Sequence, residues 1–151
     1  MQGKKLETGK VLLVDDDALI SINEKAQIEE AGFHCDHSKT VKKAWSLLNR
    51  NNYNLIILDH DLQDGKGIHL IKSMLRDKIT VPIIYISAAQ ATVLREIEKI
   101  ELVKAVLRKP VSLDTLLTKV KQFCNETVYS VSVINENERR QLLENVYLEE
   151  K

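Results

Sequence analysis

Three consecutive acids, Asp15, Asp16 and Asp17, stand near the start of the chain, and Asp59 follows a run of four apolar residues. Ser87 follows a similar run, and Lys109 precedes Pro110. Carboxylates brought together without a partner repel and raise one another's pKa, unless a hard divalent cation neutralises them. Magnesium suits such a set, since it takes oxygen ligands in octahedral geometry at about 2.0–2.1 Å and keeps some of its waters. A carboxylate beside that ion is competent as a nucleophile toward phosphorus. Charge on the transferring phosphoryl oxygens then needs donors, and an ammonium (Lys109), a hydroxyl (Ser87) and the metal are the types that supply them.

These residues act together only if the fold brings them to one place. Short β-branched runs alternate with amphipathic stretches, the pattern of a parallel sheet covered by helices on both faces. Strands are expected at Val11–Val14, Phe33–Asp36, Leu55–Leu58, Ile83–Ile86 and Ala105–Leu107. Helical stripes fall on Leu19, Ile22, Ala26 and Ile28, with Gly32 ending that helix, and then on Val41, Ala44, Trp45, Leu47 and Leu48. Three more carry Ile68, Ile71, Met74 and Leu75; Val93, Leu94, Ile97 and Ile100; and Leu113, Leu116, Leu117, Val120 and Phe123. That makes five βα units and a doubly wound α/β fold. In open parallel sheets ligands collect at the carboxyl ends of the strands. The first strand ends in Asp15–Asp17, the third in Asp59, the fourth in Ser87, and the fifth reaches Lys109.

With these positions in view, the sequence resembles the response-regulator receiver family. The matching motifs are Leu12-Leu13-Val14-Asp15-Asp16, Leu55-Ile56-Ile57-Leu58-Asp59, the run from Asp59 to Gly67, Ile84-Tyr85-Ile86-Ser87-Ala88, and Lys109-Pro110. Their order and spacing match as well, over about Lys10 to Cys124. The resemblance implies a flavodoxin-like receiver fold with strand order 2-1-3-4-5, the order quoted in general descriptions of such sheets. It implies a two-component signalling switch that is not an enzyme beyond phosphorylating and dephosphorylating itself. Asp59 would be the phosphorylated residue, Asp16 a direct magnesium ligand, Asp15 a ligand through water, and the Asp61 backbone carbonyl a further ligand. Ser87 would grip the phosphoryl group, and Lys109 would pair with it beside a Lys109–Pro110 bond that is cis in this family. A histidine kinase or phosphotransfer protein would be the donor, and a downstream protein or fused output domain the recipient.

Two departures from the family pattern stand out. Gln63 occupies a usual proline position, which is expected to loosen the turn after Asp59. Val106 replaces the usual aromatic on the fifth strand, three residues before Lys109, and is too small and too stiff to make that ring's inward turn. Asp17 lies outside the matched acidic pair and reads as an N-cap.

Other classes account for the residues less well. Asp59-His60-Asp61 looks like the D-x-D motif of haloacid-dehalogenase-type phosphatases, but those place the nucleophile after an early strand and the acidic pair late. A flavin binder would need a hydroxyl-rich loop after the first strand, where this chain has acids. A pseudo-receiver that only binds partners would lack the acids or the lysine, and here all are present.

Charge is balanced, with 22 Lys and Arg against 22 Asp and Glu, so no whole-molecule field draws the chain to nucleic acid or to an anionic membrane. Cys35 and Cys124 lack metal-pair spacing and read as reduced thiols, and with no apolar run of spanning length or signal-peptide core, the expectation is a cytoplasmic protein. His34, Cys35 and His37 read as an exposed strand end, His60 as a solvent-facing rim residue, and Trp45 as core. The receiver is placed at residues 10–124. Residues 125–151 read as an extension: either a short strand at Thr127–Ile134 and a helix at Asn137–Lys151, or one long continuation of the fifth helix. Leu142, Leu143, Val146 and Tyr147 would form an apolar face there, open to a homodimer contact.

Overall fold

The computed structural model describes residues 9–129. The chain runs β1 (Lys10–Val14), α1 (Ala18–Glu30), β2 (His34–Ser38), α2 (Val41–Arg50) and β3 (Leu55–Asp59). There follow β4 (Asp61–Leu62), β5 (Gly65–Lys66), α3 (Gly67–Arg76), β6 (Ile83–Ser87), α4 (Ala91–Glu98), β7 (Val103–Arg108) and α5 (Leu113–Tyr129). The main sheet has the order β2-β1-β3-β6-β7, and every pairing in it is parallel. With the main-sheet strands counted alone, this is the expected 2-1-3-4-5 order.

Strands buried on both faces carry near-continuous apolar runs, and here the four residues before Asp15 and the four before Asp59 are buried without exception. Alternation then sorts them. Leu12, Val14, Ile56, Leu58, Ile83 and Tyr85 pack toward α2, α3 and α4. Val11, Leu13, Leu55, Ile57, Ile84 and Ile86 pack toward α1 and α5. Because no polar side chain can be afforded within those runs, chemistry is confined to where they end.

Several boundaries and faces differ from expectation. Strand β2 starts at His34 and extends to Ser38, because β1 pairs with it residue for residue from Lys10↔His34 to Val14↔Ser38. The apolar stripe assigned to α1 does not face the core: Leu19 is 82% and Ile22 68% exposed, and Ala26 is exposed too. Of that stripe Ile28 alone is buried as expected, and Ser21 is the helix's other buried residue. The phase is set at the start of the helix, where Asp17 accepts hydrogen bonds from the Leu19 and Ile20 amides, and this rotates Ser21 inward. Trp45 is half-buried, packed against the core rather than within it. Helix α5 passes through Cys124 to Tyr129, so Thr127–Tyr129 is helical and not strand. The remaining tail residues, including Leu142, Leu143, Val146 and Tyr147, lie outside the described residues. No described helix is long and apolar enough to cross a membrane. Cys35 and Cys124 are free and buried, and burial pushes each thiol up to about 12.

Candidate functional site

The carboxyl ends of β1, β3, β6 and β7 meet at one rim. Carboxylate oxygens of Asp15, Asp16 and Asp59 lie within 4.8 Å of one another. Asp15 and Asp59 are buried, at 7% and 4% exposure, and Asp16 is the more open of the three. Lys109 Nζ reaches Asp59 Oδ2 at 2.9 Å from a side chain that is 41% exposed. Three carboxylates against one ammonium leave two net negative charges, which is what a divalent cation would balance.

The electrostatics follow from this crowding. Burial raises the Asp15 pKa, opposed by the Asp17 amide that donates to its Oδ1 at 2.8 Å, and the Asp59 charge raises it further. Burial alone would lower Lys109, but its hydrogen bond to Asp59 and the charges of Asp59, Asp15 and Asp16 outweigh that and hold it above its usual range. Ser87 is fully buried at the end of β6, and its Oγ accepts the Ala89 amide at 2.8 Å, which leaves the hydroxyl proton free to donate. The Lys109 amide donates to the Ser87 carbonyl at 3.0 Å, so hydroxyl and ammonium are held on adjacent strand ends. The Lys109–Pro110 bond is cis. Asp17 caps α1, as its position after the acidic pair implied.

The segment after Asp59 carries Gln63 in place of the usual proline and is held by several contacts. It forms a hairpin, β4 against β5, with Gln63 and Asp64 at its tip. Lys66 pairs with the Asp61 carboxylate across it. Asp64 reaches over to α2 and accepts the Val41 and Lys42 amides at 2.7 and 3.0 Å. A carboxylate at a helix N-terminus meets unsatisfied donors and the positive end of the helix dipole, and the two amides hold its pKa below the ordinary range despite some burial.

Three residues near the rim do more than the sequence reading gave them: His37 and His60, read there as exposed, and Glu24, which it did not single out. His37 is no mere strand end: its Nε2 lies 2.8 Å from the Asp15 carbonyl and donates to it, fixing the backbone behind the acidic pair. His60 is half-buried, with Nδ1 2.6 Å from the Tyr85 hydroxyl. Glu24, on the inner face of α1, has a buried Oε1 without a hydrogen-bonding partner among the described residues. Burial first, then the Asp15 charge, raises its pKa to about 7, with Lys109 opposing. A carboxyl whose folded pKa lies above its unfolded value of 4.5 favours folding while protonated. Stability is therefore expected to fall as pH rises from 4.5 toward 7 and to level off above. Glu24→Gln should be stabilised at pH 8 by on the order of 1–2 kcal/mol, discounted for partial exposure, and should match wild type near pH 4.5. Urea unfolding at the two pH values measures this, and equal stabilities at pH 8 would refute it.

The comparisons with known proteins agree with this geometry. The response regulator receiver domain pattern matches residues 11–121. The transcriptional regulatory protein CrdR of Helicobacter pylori is 29% identical over 118 residues, covering 78% of this chain and 55% of CrdR. The transcriptional regulatory protein PhoP of Escherichia coli is 32% identical over 82 residues, covering 54% of this chain and 37% of PhoP. This chain thus spans about half the length of one relative and about a third of the other. Among solved structures, the Francisella response regulator 1452 receiver domain superposes with a TM-score of 0.72 at 33% identity, covering 79% of this chain and 98% of that one. Sheet order, acidic rim and matched residues lead to one conclusion: the chain belongs to the response regulator receiver domain family.

Proposed function

We infer that Asp59 is the phosphoacceptor of this receiver, loaded in a magnesium-dependent step by a histidine kinase or phosphotransfer protein. The observation that carries the assignment is the position of Asp59, buried at the end of β3 within 4.8 Å of Asp15 and Asp16 and 2.9 Å from Lys109. The donor set is all oxygen and net negative, which fits a hard divalent ion. Asp15, Asp16, Asp59 and the Asp61 carbonyl would hold it, and it supplies charge neutralisation for the incoming phosphoryl oxygens.

An Asp59 carboxylate oxygen attacks phosphorus; the bond from phosphorus to the donor breaks, and its electron pair leaves with the donor group. Lys109 then exchanges its contact with Asp59 for a phosphoryl oxygen, and the Ser87 hydroxyl donates its free proton to another. Water attack on phosphorus breaks its bond to the Asp59 oxygen, releases inorganic phosphate and returns the Asp59 carboxylate, which ends the signal. A receiver is a signalling domain and not a classical enzyme, and the downstream partner or fused output domain reads its phosphorylated state.

Acetyl phosphate with magnesium is expected to add one phosphoryl mass to the intact protein, and none to Asp59→Asn or in the presence of a chelator. Intact-mass spectrometry makes the measurement. Labelling that persists in Asp59→Asn would overturn the assignment.

The change at β7 should be small. Val106 is half-buried opposite Tyr85, packs on the α3–α4 side of the sheet and has no large volume to sweep. Amide exchange with and without a phosphoryl mimic should show protection concentrated in the Ser87–Ala91 loop and the start of α4. Equally large changes at Ala105–Leu107 would count against this.

A further inference from the structure

We propose that Tyr85 is a positioning residue for the magnesium site, holding the Asp59–His60–Asp61 turn in place through the hydrogen bond from its hydroxyl to His60. The proposal rests on the functional reading above and adds to it a residue that touches neither metal nor phosphoryl group.

His60 is anchored three times. Its amide donates to the Ile86 carbonyl at 2.9 Å, its carbonyl accepts the Gly67 amide at 2.8 Å, and its ring meets the Tyr85 hydroxyl at 2.6 Å. The two rings stand edge to face, with centroids 5.7 Å apart and planes at 65°. Tyr85 itself cannot move to follow: it is 0% exposed in the core between the sheet and α3–α4, on the strand paired with β3. In the proposed arrangement the Tyr85 hydroxyl donates to His60 Nδ1, and the ring proton of the imidazole stands on Nε2.

A buried hydroxyl left without an acceptor is unfavourable. The turn is therefore held at the one register in which His60 meets Tyr85. His60 separates the proposed metal ligands Asp59 and Asp61, so a rotation of its backbone carries the Asp61 carbonyl away from the carboxylates. The bond thus ties a ligand supplied by a short hairpin to the rigid centre of the sheet, as supporting contacts do for metal ligands generally.

Calorimetric titration with magnesium tests this on the full chain. Tyr85→Phe keeps the ring and should weaken binding about 3–10-fold, the equivalent of one hydrogen bond. His60→Phe should do the same, and the double variant should bind no more weakly than either single one. His60→Asn places an amide oxygen where Nδ1 stands and should restore binding to within about twofold of wild type. A hydroxyl with a merely structural role would lower the melting temperature and leave the magnesium Kd unchanged. Tyr85→Phe binding as wild type, or the two single effects multiplying in the double variant, would overturn the proposal alone. Absence of magnesium binding in the wild type would overturn the underlying reading as well.

Discussion

Asp16→Ala is expected to lose magnesium binding and phosphoryl labelling together, each by on the order of 100-fold or more, while Asp17→Ala keeps both. Contacts that merely support a metal ligand are commonly worth 10–100-fold in affinity, and Asp16 is placed as a ligand itself, with a carboxylate oxygen within 4.8 Å of those of Asp15 and Asp59. Removing it takes away a third of the carboxylate set and the more open member of it, the one that solvent and an arriving ion reach first. Asp17 is adjacent in sequence but turned to another task. Its Oδ1 accepts the Leu19 and Ile20 amides at 3.1 Å each, at an exposed helix start where water can take its place. Losing an N-cap costs about 1 kcal/mol. The contribution of Asp17 to the site comes from its main chain, whose amide donates to Asp15 Oδ1, and an alanine retains that amide. Magnesium titration and intact-mass labelling of the two variants separate the roles. If Asp17→Ala loses the metal and Asp16→Ala keeps it, the register of β1 against the site is wrong.

Gly67→Ala should strike fold and site at once. A Cβ at Gly67 would stand 2.5 Å from the Asp59 carbonyl oxygen, and 3.1 Å from both Leu58 Cγ and Tyr85 Cε2. The first contact is with the main chain of β3 at the proposed phosphoacceptor, which pairs with β6 there and cannot yield as a flexible side chain would. Relief would have to come from shifting the start of α3, which breaks the 2.8 Å bond from the Gly67 amide to the His60 carbonyl. Overpacking of this kind costs about 3 kcal/mol, and for a domain of roughly 100–150 residues that lowers the melting temperature by about 10–15 °C. Because the displaced atoms belong to the Asp59–Asp61 turn, magnesium affinity should fall in the protein that remains folded. A melting temperature within about 2 °C of wild type would show that the close approach is not a constraint.

The residues of the site were legible in the sequence because their placement depends on local rules. Four apolar residues in a row before Asp15, and again before Asp59, can be satisfied only by strands buried on both faces. Such strands expose polar side chains only where they end. Alternation with helices makes the strands parallel, so all their carboxyl ends lie on one side, and Asp15, Asp16, Asp59, Ser87 and Lys109 reach one rim whatever the details of packing. What supports them was not legible, because it is decided by register and by helix phase. Apolar spacing placed Leu19 and Ile22 inside, but an amphipathic pattern does not state the rotation of a helix about its axis. The cap at Asp17 and the fit against the sheet turned Ser21 and Glu24 inward, with Ile28 the one expected residue that stays there. The contacts of His37 with Asp15, His60 with Tyr85 and Asp64 with the start of α2 join residues 22, 25 and 23 apart. No local propensity acts over such separations. The first two exist because strand pairing, set residue by residue along β1, β2, β3 and β6, brings one donor to one acceptor, and a shift of a single residue in any of those pairings would turn the side chains to opposite faces; the third exists because the hairpin after β3 reaches the start of α2.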